Sequence, residues 1–198
     1  MAKLLYQGHG SCRLITEDGV VVYIDPYAGD GYDVEADIIL VTHQHGDHNK
    51  IELVPKKKRC NIIRNDDALV DGKYLHFILN GIKIQAVQAY NKNHDKSQCV
   101  GYVLETDGIK IYFAGDTSTT EEMTDLGMSG INYALLPIDG KYNMDSEEGA
   151  VCSEIINADH TIPYHMLPGG LFDMATAEAF GGKNKLIVRD GEEIELKK

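Results

Sequence analysis

Four side chains able to bind a divalent metal, His43, His45, Asp47 and His48, fall within six residues directly behind the apolar run Ile38-Ile39-Leu40-Val41. No other feature constrains the chain as strongly. Imidazole nitrogen and carboxylate oxygen are the donors that suit Zn²⁺ and neighbouring first-row metals. A buried strand ending at Thr42 fixes the start of the loop, and Gly46 lets the backbone turn so that alternate side chains converge. The segment reads as a metal-binding loop carried on a strand end, with a polar loop that is merely rich in histidine as the weaker alternative.

The surroundings read as sheet. Short runs rich in Val, Ile, Leu and Tyr recur between Gly, Asp and Asn punctuation, and the early ones leave no room for helices between them. The pattern predicts strands at residues 3–6, 11–16, 20–25, 38–42, 62–64, 82–89, 100–106 and 110–114. Glu17-Asp18-Gly19 and Asp107-Gly108 have the residues of tight hairpin turns, where positive φ is needed. Helical spacing begins later, with Val151, Cys152, Ile155 and Ile156 on one face behind an Asp145…Glu148 capping pattern. A second helix is predicted over 172–180, and a closing hairpin over 185–189 and 193–196. No fixed-period repeat is present, although a strand-rich half followed by a mixed half is compatible with a structural duplication.

His43-x-His45-x-Asp47-His48 resembles the H-x-H-x-D-H signature of the metallo-β-lactamase superfamily. Asp25, closing Val20-Val21-Val22-Tyr23-Ile24, matches that family's early strand-end aspartate, which would hold a ligating imidazole in orientation by accepting its hydrogen bond. His94, ahead of Cys99-Val100-Gly101-Tyr102-Val103-Leu104, is similar to the third histidine. Asp116, in Phe113-Ala114-Gly115-Asp116-Thr117, is similar to the carboxylate that bridges two cations. His165 resembles the late histidine at the end of a short strand, with His160, on the other side of Pro163, as its competitor. His9, in Gly8-His9-Gly10-Ser11, resembles an N-terminal Gly-His segment of one branch, near the site, and is equally an ordinary loop histidine. His76 reads as structural. Pro137 to Asp145 and the following helix resemble the branch near the ascorbate-phosphate lactonase-like hydrolases, which makes Tyr142 and Asn143 candidates for substrate contact or else formers of a turn.

The resemblance implies an α+β fold, a four-layer αββα sandwich with its metals at one edge. It implies one divalent cation, Zn with Mn or Fe as alternatives, on His43, His45 and His94, a second on Asp47, His48 and His165, and Asp116 between them. Such a site makes a hydroxide nucleophile from shared water near neutral pH, with Asp47 as a proton shuttle. The expected activity is metal-dependent hydrolysis of a small ester, lactone or phosphorylated substrate. The rivals are a phosphodiesterase or nuclease of the same fold, a di-iron centre of the kind that reduces oxygen or nitric oxide, and a metal-binding protein without turnover.

Composition narrows this list. A net charge of −12 repels phosphate backbones, so general nucleic-acid binding is not expected, and the one basic run, Lys56-Lys57-Lys58-Arg59, reads as a solvated face. With 198 residues and 43% hydrophobic content the chain suits a single domain over 1–198. It has no apolar stretch of roughly 20 residues and no signal-peptide pattern, so a soluble cytoplasmic protein with no membrane association is expected. The cysteines Cys12, Cys60, Cys99 and Cys152 lack paired spacing and read as small core residues. The linear pattern contains nothing about oligomeric state.

Overall fold

The computed structural model describes residues 1–198. Strands β1 (Lys3–Gly8), β2 (Ser11–Ile15) and β3 (Val21–Ile24) form an antiparallel meander, to which β4 (Ala36–Leu40) and β5 (Lys56–Ile63) add in parallel. A short helix α1 (Asn65–Ala68) and the two-residue strands β6 (Leu69–Val70) and β7 (Lys73–Tyr74) lead to the second half. There β8 (His76–Leu79), β9 (Ile82–Gln88), β10 (Val100–Thr106) and β11 (Ile109–Phe113) run antiparallel, and β12 (Tyr133–Pro137) and β13 (His160–Tyr164) continue in parallel. Helices α2 (Met123–Met128) and α3 (Ser146–Ile156) are the crossovers, and α4 (Met174–Ala179) precedes β14 (Glu192–Glu195). The result is two six-stranded sheets, ordered β14-β1-β2-β3-β4-β5 and β13-β12-β11-β10-β9-β8.

Each sheet thus contains an antiparallel meander of three strands followed by two parallel ones, β1 to β5 in the first and β9 to β13 in the second. The duplication is one of topology, with no repeat in the sequence. Alternate residues on the facing sides, among them Leu4, Tyr6, Leu14, Ile24, Leu40, Ile84, Tyr102, Phe113 and Leu135, form the central core of 26 buried residues. The opposite side of the second sheet packs Tyr112, Ala134 and Leu136 against Met123, Leu126, Cys152 and Ile156 of α2 and α3. The outer side of the first sheet, with Val21, Tyr23, Ile39 and Val41, is covered by the loop carrying Tyr32 and Val34 and by a 3₁₀ turn at Ile51–Leu53. The layers make an α+β sandwich of the αββα kind whose first outer layer is thin. Strand β3 and residues 38–40 of β4 read as apolar runs because both of their faces are buried.

Local signals account for the element ends. Thr106 and Ile109 pair across Asp107 and Gly108, both at positive φ, and Gly19 at φ +79 closes the β2–β3 hairpin. Asp145 caps α3 by accepting from the N–H groups of Glu147 and Glu148, and Asn157 in the left-handed region ends it. The second predicted helix is present but shorter, because Asp173 accepts from Thr176 N and starts α4 at Met174.

The predicted closing hairpin does not form. Lys185 instead makes one isolated bridge to Thr161 at the β13 edge of the second sheet, with Leu186 N donating to Thr161 O, while β14 pairs with β1 of the first sheet. Two apolar runs at hairpin spacing were each drawn to a free sheet edge, and the turn around Gly191 carries the chain from one sheet to the other. Strand β12 and helix α2 lie outside the predicted elements, and β5 starts at Lys56, six residues before the predicted strand. Lys57 pairs with Asp37 and Lys56 Nζ donates to the carbonyls of Ile51 and Val54, so the basic run is an edge strand whose charges discourage further pairing. No helix is long and apolar enough to cross a membrane.

Candidate metal centre

The residues singled out in the sequence meet where the parallel strands end. Asp25 follows β3, His43 to His48 follow β4, Asp116 follows β11 and His165 follows β13, while His94 lies ahead of β10 and His9 in the β1–β2 turn. The carboxyl ends of strands in both sheets therefore face one rim of the sandwich. His43, His48, His94, His165 and Asp116 are buried, His45 is exposed, and Asp47 is partly exposed.

Asp116 occupies the middle. Its Oδ1 lies 3.3 Å from His48 Nε2 and 3.4 Å from His165 Nε2, and its Oδ2 lies 3.1 Å from His94 Nε2. Donor atoms of His43, His45 and His94 form one compact group, those of Asp47, His48, His165 and His9 a second, and His43, His48 and Asp116 a third that joins the two. These separations match the edge of about 3.3 Å expected between ligands that sit 2.0–2.1 Å from a tetrahedral cation.

In four rings the Nδ1 atom faces a fixed partner, which leaves Nε2 for the centre. His43 Nδ1 is 3.0 Å from Thr42 Oγ1, which itself donates to Asp25. His48 Nδ1 is 2.8 Å from Asp25 Oδ2. His94 Nδ1 faces Asn91 Oδ1 at 3.0 Å, and His165 Nδ1 lies 3.1 Å from Asp139 Oδ2, a charge contact outside hydrogen-bond geometry. Each acceptor calls for an N–H on Nδ1, which in the neutral, metal-binding form of the ring leaves the lone pair on Nε2. The Nε2 atoms of His43, His48 and His165 and Oδ1 of Asp116 are buried without a hydrogen-bond partner. Buried orphan acceptors in such number are expensive unless a cation satisfies them, so the residues present fit a metal centre.

The electrostatics follow from burial and neighbours. Burial, followed by the charge of His48, lowers His43 to about 2, so this ring is neutral and free to ligate. Burial would lower His48 as well, but Asp116 and Asp25 outweigh it and hold its pKa well above the ordinary range. Asp139 is lowered to about 2: burial opposes the shift, but His165 and the N–H groups of Tyr142 and Lys141 outweigh it.

Asp139, like Thr42 and Asn91, borders the cluster and was missed by the sequence reading. It closes the apolar strand β12 just ahead of Gly140, much as Asp25 closes β3, and that punctuation was the available signal. Its carboxylate also accepts from the backbone of Lys141 and Tyr142 and from Asn143 Nδ2. Asn143 is thereby occupied as a turn former, whereas the Tyr142 side chain is 43% exposed. His160 stacks on Tyr133 at 4.8 Å and His76 lies on the exposed edge strand β8, both apart from the cluster. His9 has no exposed surface to offer a substrate; its Nε2 lies 3.2 Å from Asp47 Oδ2.

Backbone conformation sharpens the arrangement. His9, Asp25 and His165 all adopt positive φ, between 45° and 55°, a region that costs an ordinary residue about 1–3 kcal/mol and is retained where function fixes the geometry.

Comparison with known proteins agrees with this geometry. A UPF0173 metal-dependent hydrolase of Thermococcus onnurineus is 31% identical over 191 residues, spanning 83% of this chain and 84% of the relative. The crystal structure of a Parabacteroides distasonis protein, named for metal-dependent hydrolysis, superposes with a TM-score of 0.77 at 30% identity, covering 96% of this chain and 93% of that one. A Thermotoga maritima protein of the metallo-β-lactamase superfamily, named for zinc-dependent hydrolysis, gives a TM-score of 0.64 at 25% identity over 83% and 76% of the two chains. Fold and site together define the class as the metallo-β-lactamase sandwich. Residues 3–165 match the family described as a beta-lactamase superfamily domain, and the chain belongs to that family, among the UPF0173 metal-dependent hydrolases.

Proposed function

We propose that the chain is a dinuclear metal-dependent hydrolase acting on a small ester, lactone or phosphorylated substrate. The observation that carries this reading is the position of Asp116, whose two oxygens face different histidines, Oδ2 toward His94 and Oδ1 toward His48 and His165. In this reading His43, His45 and His94 hold one cation, Asp47, His48 and His165 hold the other, and Asp116 bridges them. Zinc is the first choice, in keeping with the name of the Thermotoga relative, with manganese and iron as alternatives. Bound there, two dications would supply Lewis acidity and lower the pKa of water toward neutrality.

The chain's own residues do the rest. Thr42, Asp25, Asn91 and Asp139 fix the ring orientations, so the donors need not reorganise as charge develops. Asp47, with 37% of its side chain exposed, is the carboxylate positioned at the mouth to accept a proton from the attacking water. A cleft of about 430 Å³ beside the exposed His45, lined in part by Gln44, Asn65, Asn93 and His94, suits a small polar substrate. The amides offer both donors and acceptors and no net charge.

Turnover of an ester, lactone and phosphodiester panel by the metal-replete protein tests the proposal, with His45→Ala and Asp116→Ala as controls. Cleavage of at least one class, lost in both variants, is the expected result. Full activity in either variant, or no cleavage at full metal occupancy, would overturn it.

A further inference from the structure

His9 obeys the same rule as the four ring-fixed histidines of the centre, although the resemblance assigns it no place among the ligands. Its Nδ1 lies 2.9 Å from the carbonyl oxygen of Gly170, an acceptor only, so Nδ1 carries the N–H, and the metal-binding form of the ring has its lone pair on Nε2. That lone pair points at Asp47 Oδ2, 3.2 Å away. In that form two acceptors face each other, the imidazole 0% exposed and the carboxylate open to solvent on one side only. A cation between them removes the conflict, and the 3.2 Å separation is again close to the ligand-to-ligand edge of about 3.3 Å. His9, Asp47, His48 and His165 present donor atoms that all lie within 4.8 Å of one another.

The backbone is built to aim this ring. The register of β1 and β2 shifts between Tyr6 and Gly8, and a bulge of this kind redirects a side chain at a strand end. His9 then takes φ +55 although glycines stand on both sides of it. Its N–H donates to Leu171 O, its carbonyl accepts from His165 N at 2.9 Å and from Tyr6 Oη at 2.9 Å, and its ring lies 3.7 Å from that of His165. The ligand His165 and His9 therefore hold each other in place through main chain and ring alike.

We infer that His9 is a protein ligand of the second cation, through Nε2, alongside Asp47, His48 and His165. The inference rests on the dinuclear reading above and extends it: with Asp116, the second position has five protein donors and the first has four, so the two cations differ in coordination. A fifth donor favours an expanded coordination shell over a simple tetrahedron at that position.

The test is NMR of the full-length chain, labelled with ¹⁵N-histidine and loaded with ¹¹³Cd²⁺ in place of the native metal. Scalar coupling between cadmium and Nε2 of His9, on the same ¹¹³Cd resonance that couples to His48 and His165, is the expected result. Couplings to His48 and His165 without one to His9, whether or not His9 Nε2 shows a hydrogen-bonded N–H, overturn this inference and leave the metal centre standing. Absence of coupling to any of these rings overturns the metal reading and this inference with it. Calorimetric titration of the metal-stripped His9→Ala variant with Cd²⁺ gives a second readout, with affinity at the second position expected to fall at least about tenfold and the first unchanged. Unaltered affinity at both positions counts against ligation.

Discussion

Asp139 Oδ2 faces His165 Nδ1 across 3.1 Å, and the carboxylate so engaged lies at the end of β12 while the imidazole lies at the end of β13, its parallel neighbour. Two adjacent strands thereby deliver the proposed ligand and the carboxylate beside it. Replacing Asp139 by Asn keeps the shape but removes the charge that fixes the tautomer. Affinity for the second cation is expected to fall between about tenfold and a hundredfold, with the first unchanged. Isothermal titration of metal-stripped protein measures this, and equal affinities would show that Asp139 serves the turn alone.

Asp25 is a structural hub as well as an orienting group. Its carboxylate accepts from Thr42 N at 2.7 Å, Thr42 Oγ1 at 2.6 Å and His48 Nδ1 at 2.8 Å while nearly fully buried. Asp25→Ala strands these donors, so a loss of about 3 kcal/mol in unfolding free energy is expected even without metal, since each unsatisfied buried group costs roughly 1–3 kcal/mol. Urea denaturation in the presence of a chelator reads it directly. A change below the error of the midpoint would mean that water replaces the carboxylate.

Gly10 leaves room for His48. A Cβ there would lie 2.9 Å from His48 Cε1 and 3.2 Å from its Nδ1, and the ring is locked by Asp25 and cannot yield cheaply. Gly10→Ala is expected to empty the second position while sparing the first, so metal content should drop from about two per chain to about one. Elemental analysis of protein purified without chelator decides; retention of both metals would show that the ring can shift.

The opposite shifts of His43 and His48 make a prediction about pH. His48 is held above its ordinary value of 6.5, so its pairing with Asp116 and Asp25 stabilises the metal-free fold fully below pH 6.5 and is lost as pH rises through the folded value. His43 is depressed to about 2; its contribution is complete above pH 6.5 and is lost as pH falls toward 2. A cation requires both rings neutral. Binding at pH 7 should therefore release about one proton, from His48, visible as a dependence of the binding enthalpy on buffer ionisation enthalpy. No such dependence would mean that His48 is already neutral.

Much of the centre was legible because metal chemistry selects residue types. His43, His45, Asp47 and His48 stand together in six positions, and Asp116 and His165 carry their own strand-end punctuation. Asp139 was overlooked because one Asp before a Gly looks the same whether it closes a turn or orients an imidazole. The 185–189 and 192–195 segments misled for a related reason: period-two apolarity identifies a strand but leaves its partner open, and here each segment found a different sheet.

The sequence by itself determined a strand-rich first half with helices later, through short apolar runs with turn residues between them, and a metal-binding loop, through the clustered donors behind β4; the α+β sandwich followed from the family resemblance those donors carry. The tertiary structure decided which strands are neighbours, which nitrogen of each ring faces the centre, and that His9, 34 residues before His43, lies against Asp47. The physical reason is range. Backbone preference and side-chain chemistry are properties of a few consecutive residues, whereas a hydrogen bond from His9 Nδ1 to Gly170 O exists only after two sheets have packed and brought distant loops to one rim.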